Sequence, residues 1–245
     1  MSGADDTTGA RPLPTKTKIN SLGLLMTRTT SRHIFTVLVA ALLVYVFGLV
    51  HEQWSPMHRW NKATADAAFV LLTFTMLIGP VARLCPALRR LIPLRREAGI
   101  YAIGLAIIHT VIILDGWVEW DFARLFGFEF HPTLGSYVML QHGFGLANLI
   151  GVVALAYGVI LMITSNDMSV RTLGGSAWKL LHSTTIVLWT LVVVHTAYFL
   201  FFHFLDFHRP VPDPNPLQWV FVWVVVIVLA VRGASFFKTW RHRKH

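Results

Sequence analysis

The chain has 245 residues, of which 55% are hydrophobic and only 13% are charged. Soluble domains usually carry about 25% charged residues, so this composition argues against a soluble protein and for one embedded in a membrane. The formal net charge is +9, and the basic residues are clustered, so their positions say more than their sum. The single cysteine, Cys85, excludes an intrachain disulfide and a cysteine-ligated metal or iron–sulfur cluster built from this chain.

The two ends of the sequence are polar. Residues 1–33 lack the apolar core and the small-residue cleavage site of a secretory signal peptide. We expect them to form a cytoplasmic extension with a short interfacial helix near residues 22–26, followed by an uncleaved membrane anchor. Residues 238–245, which read KTWRHRKH, are expected to form a basic cytoplasmic tail.

Six apolar segments lie between these ends, and a spanning helix needs about 20 such residues. Only helices or closed barrels satisfy the backbone in lipid, and these runs are too long and continuous for alternating barrel strands. The sequence therefore predicts an all-α integral membrane protein, with a six-transmembrane-helix bundle over residues 34–237. The predicted spans, numbered 1 to 6, cover residues 34–50, 66–84, 98–117, 137–164, 177–204 and 217–237.

The charged residues between the spans predict the orientation of the bundle. Lys and Arg concentrate in the N-terminal tail, between spans 2 and 3, between spans 4 and 5, and after span 6. The remaining connections hold most of the acidic residues. Because cytoplasmic loops carry an excess of Lys and Arg, we expect both termini in the cytoplasm.

Three of the twelve histidines lie deep in predicted spans: His109 in span 3, and His182 and His195 in span 5. A polar ring in hydrocarbon is costly unless it is bonded, and imidazole is a common axial ligand of heme iron. Thirteen residues separate His182 and His195 by about 20 Å along a helix, a distance that suits two stacked redox centres. The alternative is that these histidines bond only backbone or hydroxyl groups, such as those of Thr184, Thr185 and Thr190.

The helical phase of span 5 does not favour a single stripe of ligands. Thirteen residues at about 100° each leave His182 and His195 well off a common face. Either the helix is locally distorted or the two sites are approached from different directions. His142, near the outer end of span 4, is a candidate extra ligand.

Two segments carry a family resemblance. RREAGIYAIGLAIIHTVIILDGW (95–117) pairs a basic start with one deep histidine, and TSNDMSVRTLGGSAWKLLHSTTIVLWTLVVVH (164–195) has a Trp-x-x-Leu-His motif with a second histidine thirteen residues on. Together they resemble the ferric reductase-like transmembrane family, most closely the heme-binding membrane subunit of bacterial periplasmic methionine sulfoxide reductase systems. The resemblance implies one or two b-type hemes, with His109 and His195 on the outer one.

The resemblance fails at one position. The inner ligand on span 3 would fall at Arg95, and arginine cannot ligate iron as a cation. His182 therefore lacks an obvious partner. It could bind a second heme with an unusual ligand, share one heme site, or serve a quinol site.

These features predict a b-type cytochrome subunit of an oxidoreductase system. It would pass electrons from quinol or a cytoplasmic flavoprotein to an acceptor on the periplasmic side, such as a periplasmic reductase.

The sequence contains no Gly-rich dinucleotide fingerprint, so we expect any flavin to be held by a separate donor. Lipid is an expected partner and nucleic acid is not. The aromatic connection at 117–135 either docks a partner or lies at the interface. The alternative functions are direct reduction of ferric or other metal ions at the outer face, and a heme-free transporter or scaffold.

Overall fold

The structure, a computed structural model, describes residues 16–139, 143–203 and 213–243, with side chains from residue 29 to residue 241 within those ranges. Its elements are α1 (Lys16–Val50), α2 (Pro56–Leu84), a 3-10 turn (Pro86–Leu91), α3 (Leu94–Ile113) with a π turn (Leu114–Val118), α4 (Phe122–Leu125), β1 (Phe128–His131), β2 (Ser136–Met139), α5 (Phe144–Ile163), α6 (Asp167–Leu173), α7 (Gly175–Ser183), α8 (Thr185–Tyr198) with a π turn (Phe199–His203), and α9 (Gln218–Arg243).

Six stretches of the described chain are long and apolar enough to cross a membrane, which confirms the predicted six-helix bundle. Each forms a helix because its backbone groups then bond within the segment and need no water. The six stretches are Thr29–Val50, Pro56–Leu84, Leu94–Val118, Phe144–Ile163, Gly175–His203 and Gln218–Arg241.

Two predicted boundaries differ from the structure. Span 4 was expected from residue 137, but its helix begins at Phe144, because residues 136–139 form β2 and pair antiparallel with β1. The turn between the strands passes through Gly135, whose φ of 59° suits a residue without a side chain. At the N-terminus, a single continuous helix starting at Lys16 replaces the expected short interfacial helix.

Helix α2 lies at the centre of the bundle. In an apolar window of 18 residues within α2, 56% is buried, whereas the corresponding share is 17–28% in the other five membrane-length stretches. It packs on α1, α3, α8 and α9, while α5 packs on α3 and α8. Small buried residues such as Ala63 and Ala67 permit this close approach. The Trp189 indole of α8 also donates a hydrogen bond to Thr73 Oγ1 of α2, at 3.2 Å.

The connections define two ends of the bundle. The basic end contains residues 85–93 and 164–174 and the C-terminal part of α9. The acidic end contains residues 51–55, 119–139 and 213–217. At the basic end, Arg96 donates hydrogen bonds to the Ser165 carbonyl at 2.6 Å and to Asp167 at 2.8 Å, which ties α3 to the chain after α5.

Candidate heme site

His109 and His195 lie towards the acidic end, on α3 and α8. Nδ1 of His109 is 3.2 Å from the Asn61 carbonyl oxygen of α2, and Nδ1 of His195 is 2.8 Å from the Ala147 carbonyl oxygen of α5. A carbonyl can only accept, so in both rings Nδ1 carries the proton and donates it. Nε2 is then the nitrogen that holds the lone pair. Metal-bound histidines usually have this arrangement, in which the other ring nitrogen is bonded to a carbonyl or carboxylate.

The helices that carry these two rings share two neighbours, α2 and α5. α3 packs on α2 and α5, and α8 packs on α5 and α2, whereas along their described residues α3 and α8 do not pack closely on each other. The two imidazoles are nevertheless near enough to interact electrostatically. Bundles bind cofactors between side chains that different helices contribute to the interior, and the placement of His109 on α3 and His195 on α8 is of this kind.

Gly151 of α5 gives the His195 ring its position. A Cβ atom at residue 151 would lie 2.7 Å from both Cε1 and Nδ1 of His195. Such an approach is far inside van der Waals contact, so the ring fits only against a glycine. The requirement is steric, since Gly151 sits within the regular helix α5.

An apolar layer separates this pair from the basic half of the bundle. It is formed by Ile103 of α3, Gly158 of α5 and Leu188 of α8, where a Cβ at residue 158 would come within 2.5 Å of Ile103 Cδ1 and 3.6 Å of Leu188 Cδ2. Both side chains are buried. Ile103 precedes His109 by six residues and Leu188 precedes His195 by seven, which places the layer about 10 Å from the ligand pair.

His182 lies on the other side of this layer, in different surroundings. Its ring stacks on Trp178, with centroids 4.1 Å apart, and its Nε2 is 3.2 Å from Thr164 Oγ1. The Trp178 indole donates to the Thr164 carbonyl at 2.8 Å. Arg95 and Arg96 are both near enough to His182 to interact with it electrostatically. The structure thus brings His182 together with Arg95, as the resemblance implied, and engages the nitrogen that a heme iron would need.

Local distortion was one of the two alternatives expected for span 5, and the structure has a break between the two histidines. α7 ends at Ser183 and α8 begins at Thr185. Thr184, which has a ψ of 5°, forms the junction. Its hydroxyl is hydrogen-bonded to the Tyr157 hydroxyl of α5. The break explains why thirteen residues need not follow the phase of a straight helix.

Among the described residues, two other histidines outside the helix interiors are bonded elsewhere. His142 lies outside the described residues. The buried His51 bonds Asp66 through Nε2 at 2.7 Å, and His58 bonds Ser55 at 2.8 Å. Across the described ranges, no three His, Cys, Asp or Glu side chains form a group that could hold a metal ion. A heme iron takes two axial protein ligands, so a His109–His195 pair does not require a cluster of three such side chains.

Sequence reasoning missed the groups that orient the ligands. The carbonyls of Asn61 and Ala147 each lie 48 residues from the histidine they bind. Any residue provides a backbone carbonyl, so no pattern in the sequence marks these two. Gly151 has no local signal either, because it is one of several glycines in an apolar helix.

Comparison with known proteins assigns the chain to a family. Residues 64–193, just over half of the chain, match the family described as ferric reductase like transmembrane component. The chain belongs to this family. The matched region contains His109 and His182 and ends two residues before His195. The chain is therefore a multi-pass membrane protein, and its family suggests a role in membrane electron transfer.

Two curated relatives share this region at low identity. Magnetosome protein MamZ of Paramagnetospirillum magneticum (strain ATCC 700264 / AMB-1) is 26% identical over 187 residues, which cover 76% of this chain and 24% of that protein. Magnetosome protein MamZ of Magnetospirillum gryphiswaldense (strain DSM 6361 / JCM 21280 / NBRC 15271 / MSR-1) is 26% identical over 141 residues, which cover 58% of this chain and 20% of that protein. The chain thus spans a quarter or less of the length of these relatives.

Proposed function

We propose that the chain is a b-type cytochrome subunit in which His109 and His195 are the axial ligands of one heme. The observation that supports this most directly is the shared hydrogen-bonding pattern of the two rings. Each ring bonds a backbone carbonyl, which the alternative of purely structural histidines also requires. Among the described residues, however, that bond is made through Nδ1, and Nε2 is left as the nitrogen that can bind iron. A bound heme iron would supply one-electron chemistry, and this chain would supply the ligands, their orientation and an apolar setting.

We further propose the direction of transfer. With the basic end in the cytoplasm of a bacterial inner membrane, electrons enter from quinol or from a cytoplasmic flavoprotein and leave towards the periplasm. The sequence resemblance favours a periplasmic methionine sulfoxide reductase as the acceptor. The acidic-end connection is held by two side-chain contacts. Arg124 forms an ion pair with Glu119, and the Tyr137 hydroxyl donates a hydrogen bond to Asp121. The surface of this connection is a candidate for docking that acceptor.

Ligation of a second heme by His182 is a separate proposal with a structural obstacle. The hydrogen bond between His182 Nε2 and the Thr164 hydroxyl would have to break. The residue near His182 on α3 is Arg95 rather than a histidine. Among the described residues, the contacts of His182 do not fit a bis-histidine site at this end. The proposal for electron transfer therefore rests on the His109–His195 pair.

The experiment is to purify the protein and measure heme per chain and the reduced-minus-oxidised spectrum. We expect b-type bands in the wild type and loss of most heme in His109→Ala and in His195→Ala. His182→Ala is the matched control, because it removes an imidazole from the same bundle and should leave most of the heme in place. Wild-type protein without heme contradicts the proposal. Equal loss in all three variants contradicts the assignment of the pair.

A further inference from the structure

Three arginines from three helices lie close together at the basic end of the bundle and form an arginine cluster: Arg83 of α2, Arg95 of α3 and Arg232 of α9. Each of the three guanidinium groups is near enough to the other two to repel them. Two hydrogen bonds join α2 to α9 at this level: Arg83 Nε donates to Ser235 Oγ at 2.8 Å, and Lys238 Nζ donates to the Arg83 carbonyl at 2.9 Å. The cluster is therefore built into the packing of the helices.

Among the described residues, no carboxylate neutralises the arginine cluster. The four ion pairs of the described chain use other side chains. At the basic end, Glu97 pairs with Arg32, and Asp167 pairs with Arg96. Like charges at short range are unfavourable without a counter-charge. Arg95 also lies in the first turn of α3, where the helix dipole favours a negative charge, so an anion at the cluster would remove both penalties.

The arginine cluster opens onto the surface of the bundle. Arg83 and Arg95 are exposed, and Arg232 is half-buried. Arg232 lies three residues after Leu229 and four before Phe236, so these three side chains share one face of α9. Leu229 is 56% exposed and Phe236 is 65% exposed, and a membrane-spanning helix presents such an apolar face to acyl chains. An arginine on a face of this kind is costly unless a partner binds it.

The surroundings of the arginine cluster restrict the ligand. Guanidinium groups bind phosphate through paired N–H donors, and such charged hydrogen bonds are stronger than those to neutral acceptors. An anionic phospholipid combines a phosphate with apolar chains that match the exposed face of α9. A soluble anion lacks the apolar part, and a zwitterionic phospholipid brings a positive group of its own towards the cluster. Basic pockets between membrane helices bind anionic lipid headgroups in this way.

We propose that the arginine cluster is a binding site for the phosphate group of an anionic phospholipid, whose acyl chains lie along the face of α9 that contains Leu229 and Phe236. The bound phosphate would neutralise charges that three helices contribute, and so would hold the basic ends of α2, α3 and α9 together. The inference does not depend on heme, because no residue of the cluster belongs to the His109–His195 pair.

The test is native mass spectrometry of the full chain in detergent, titrated with phosphatidylglycerol or with phosphatidylcholine of the same acyl chains. We expect the wild type to bind phosphatidylglycerol about tenfold or more tightly than phosphatidylcholine. Arg95→Gln and Arg232→Gln each remove one charged donor, and each should raise the dissociation constant for phosphatidylglycerol about tenfold. Arg171→Gln is the matched control, because it removes the same charge from an exposed residue of α6 at the basic end. Its dissociation constant should equal that of the wild type.

Wild-type protein that does not discriminate between the two lipids overturns the proposal, and so does unchanged affinity in both cluster variants. An equal loss in Arg171→Gln also overturns it, because the attraction would then come from the net charge of the basic end. Displacement of phosphatidylglycerol by excess inorganic phosphate would assign the cluster to a soluble anion instead. Loss of heme from both cluster variants at unchanged lipid affinity also contradicts the proposal, because the arginines would then bind the carboxylates of a heme. If one of the two variants does not fold, the other decides the question.

Discussion

The histidines in the two halves of the bundle use different ring nitrogens for their hydrogen bonds. Towards the acidic end, His109 and His195 each donate through Nδ1 to a carbonyl of a different helix, and both keep Nε2 as the lone-pair nitrogen. Towards the basic end, His182 bonds Thr164 through Nε2, stacks on Trp178 and lies near Arg95. In one half of the bundle the histidines thus leave Nε2 available as a metal ligand, whereas in the other half Nε2 is already hydrogen-bonded.

The largest expected effect comes from disturbing the half that contains His109 and His195. Gly151→Ala places a methyl group 2.7 Å from the His195 ring, so the ring must move and its bond to Ala147 is lost. Inserting extra atoms into a packed site costs about 1–3 kcal/mol. Because this cost opposes the ring position that binds iron, we expect heme affinity to fall about tenfold. Heme titration of the purified protein measures this. Gly233→Ala is the control and should bind heme as the wild type does; equal affinity in both variants would show that the ring position does not matter.

The next prediction concerns a second bis-histidine heme site, introduced into the basic half by substitution. Arg95→His supplies an imidazole near His182, and Thr164→Val removes the group that engages Nε2. We expect the double variant to raise heme content from about one towards about two per chain. Arg96→His with Thr164→Val is the matched control, because Arg96 is directed to Ser165 and Asp167. Heme content that stays constant in the Arg95 variant argues that more than these two residues prevents ligation.

A smaller effect is expected at the layer between the halves. Gly158→Val forces Ile103 and Leu188 apart, since the Cβ alone would lie 2.5 Å from Ile103 Cδ1. We expect a loss of about 1–3 kcal/mol in stability. Thermal unfolding in detergent, compared with Gly233→Val, measures the loss. Heme content per folded chain should not change, and a fall in heme would mean that the layer also shapes the ligand site.

The smallest effect is expected for Trp178→Phe. The substitution keeps an aromatic ring against His182 but removes the 2.8 Å hydrogen bond to the Thr164 carbonyl. The cost should be about 0.5–1.5 kcal/mol, the usual worth of one hydrogen bond. Thermal unfolding should register it while the heme spectrum stays that of the wild type. A changed spectrum would indicate that the basic half contributes to the bound heme.

Much of the fold could be predicted because membrane helices depend on local properties. Length and hydropathy give the six stretches. The off-phase spacing of His182 and His195 left a local distortion as one of two alternatives, and the structure has a break at Thr184. Hydropathy failed at residues 137–139, where an apolar run forms part of β2 instead of a helix. Short apolar runs do not distinguish strand from helix, since that choice depends on the partner strand.

The candidate site was less predictable than the fold. The residue type and depth of His109 and His195 were visible in the sequence, as was the anomaly at Arg95. What distinguishes the pair from His182 was not visible, because it depends on which nitrogen of each ring is occupied and by which distant group. Such features follow from packing between helices, which one sequence does not encode locally.

The layer of Ile103, Gly158 and Leu188 also bears on the membrane potential. An apolar layer conducts neither ions nor protons, so it is part of the insulation of the bilayer, and an electron that passes through it moves unaccompanied. Moving one charge across the whole membrane changes its energy by about 2.3 kcal/mol for every 100 mV. Under the proposed function, a fraction of that energy applies to each electron that reaches the His109–His195 pair from the basic end. The rate of heme reduction in vesicles should therefore respond to an imposed voltage.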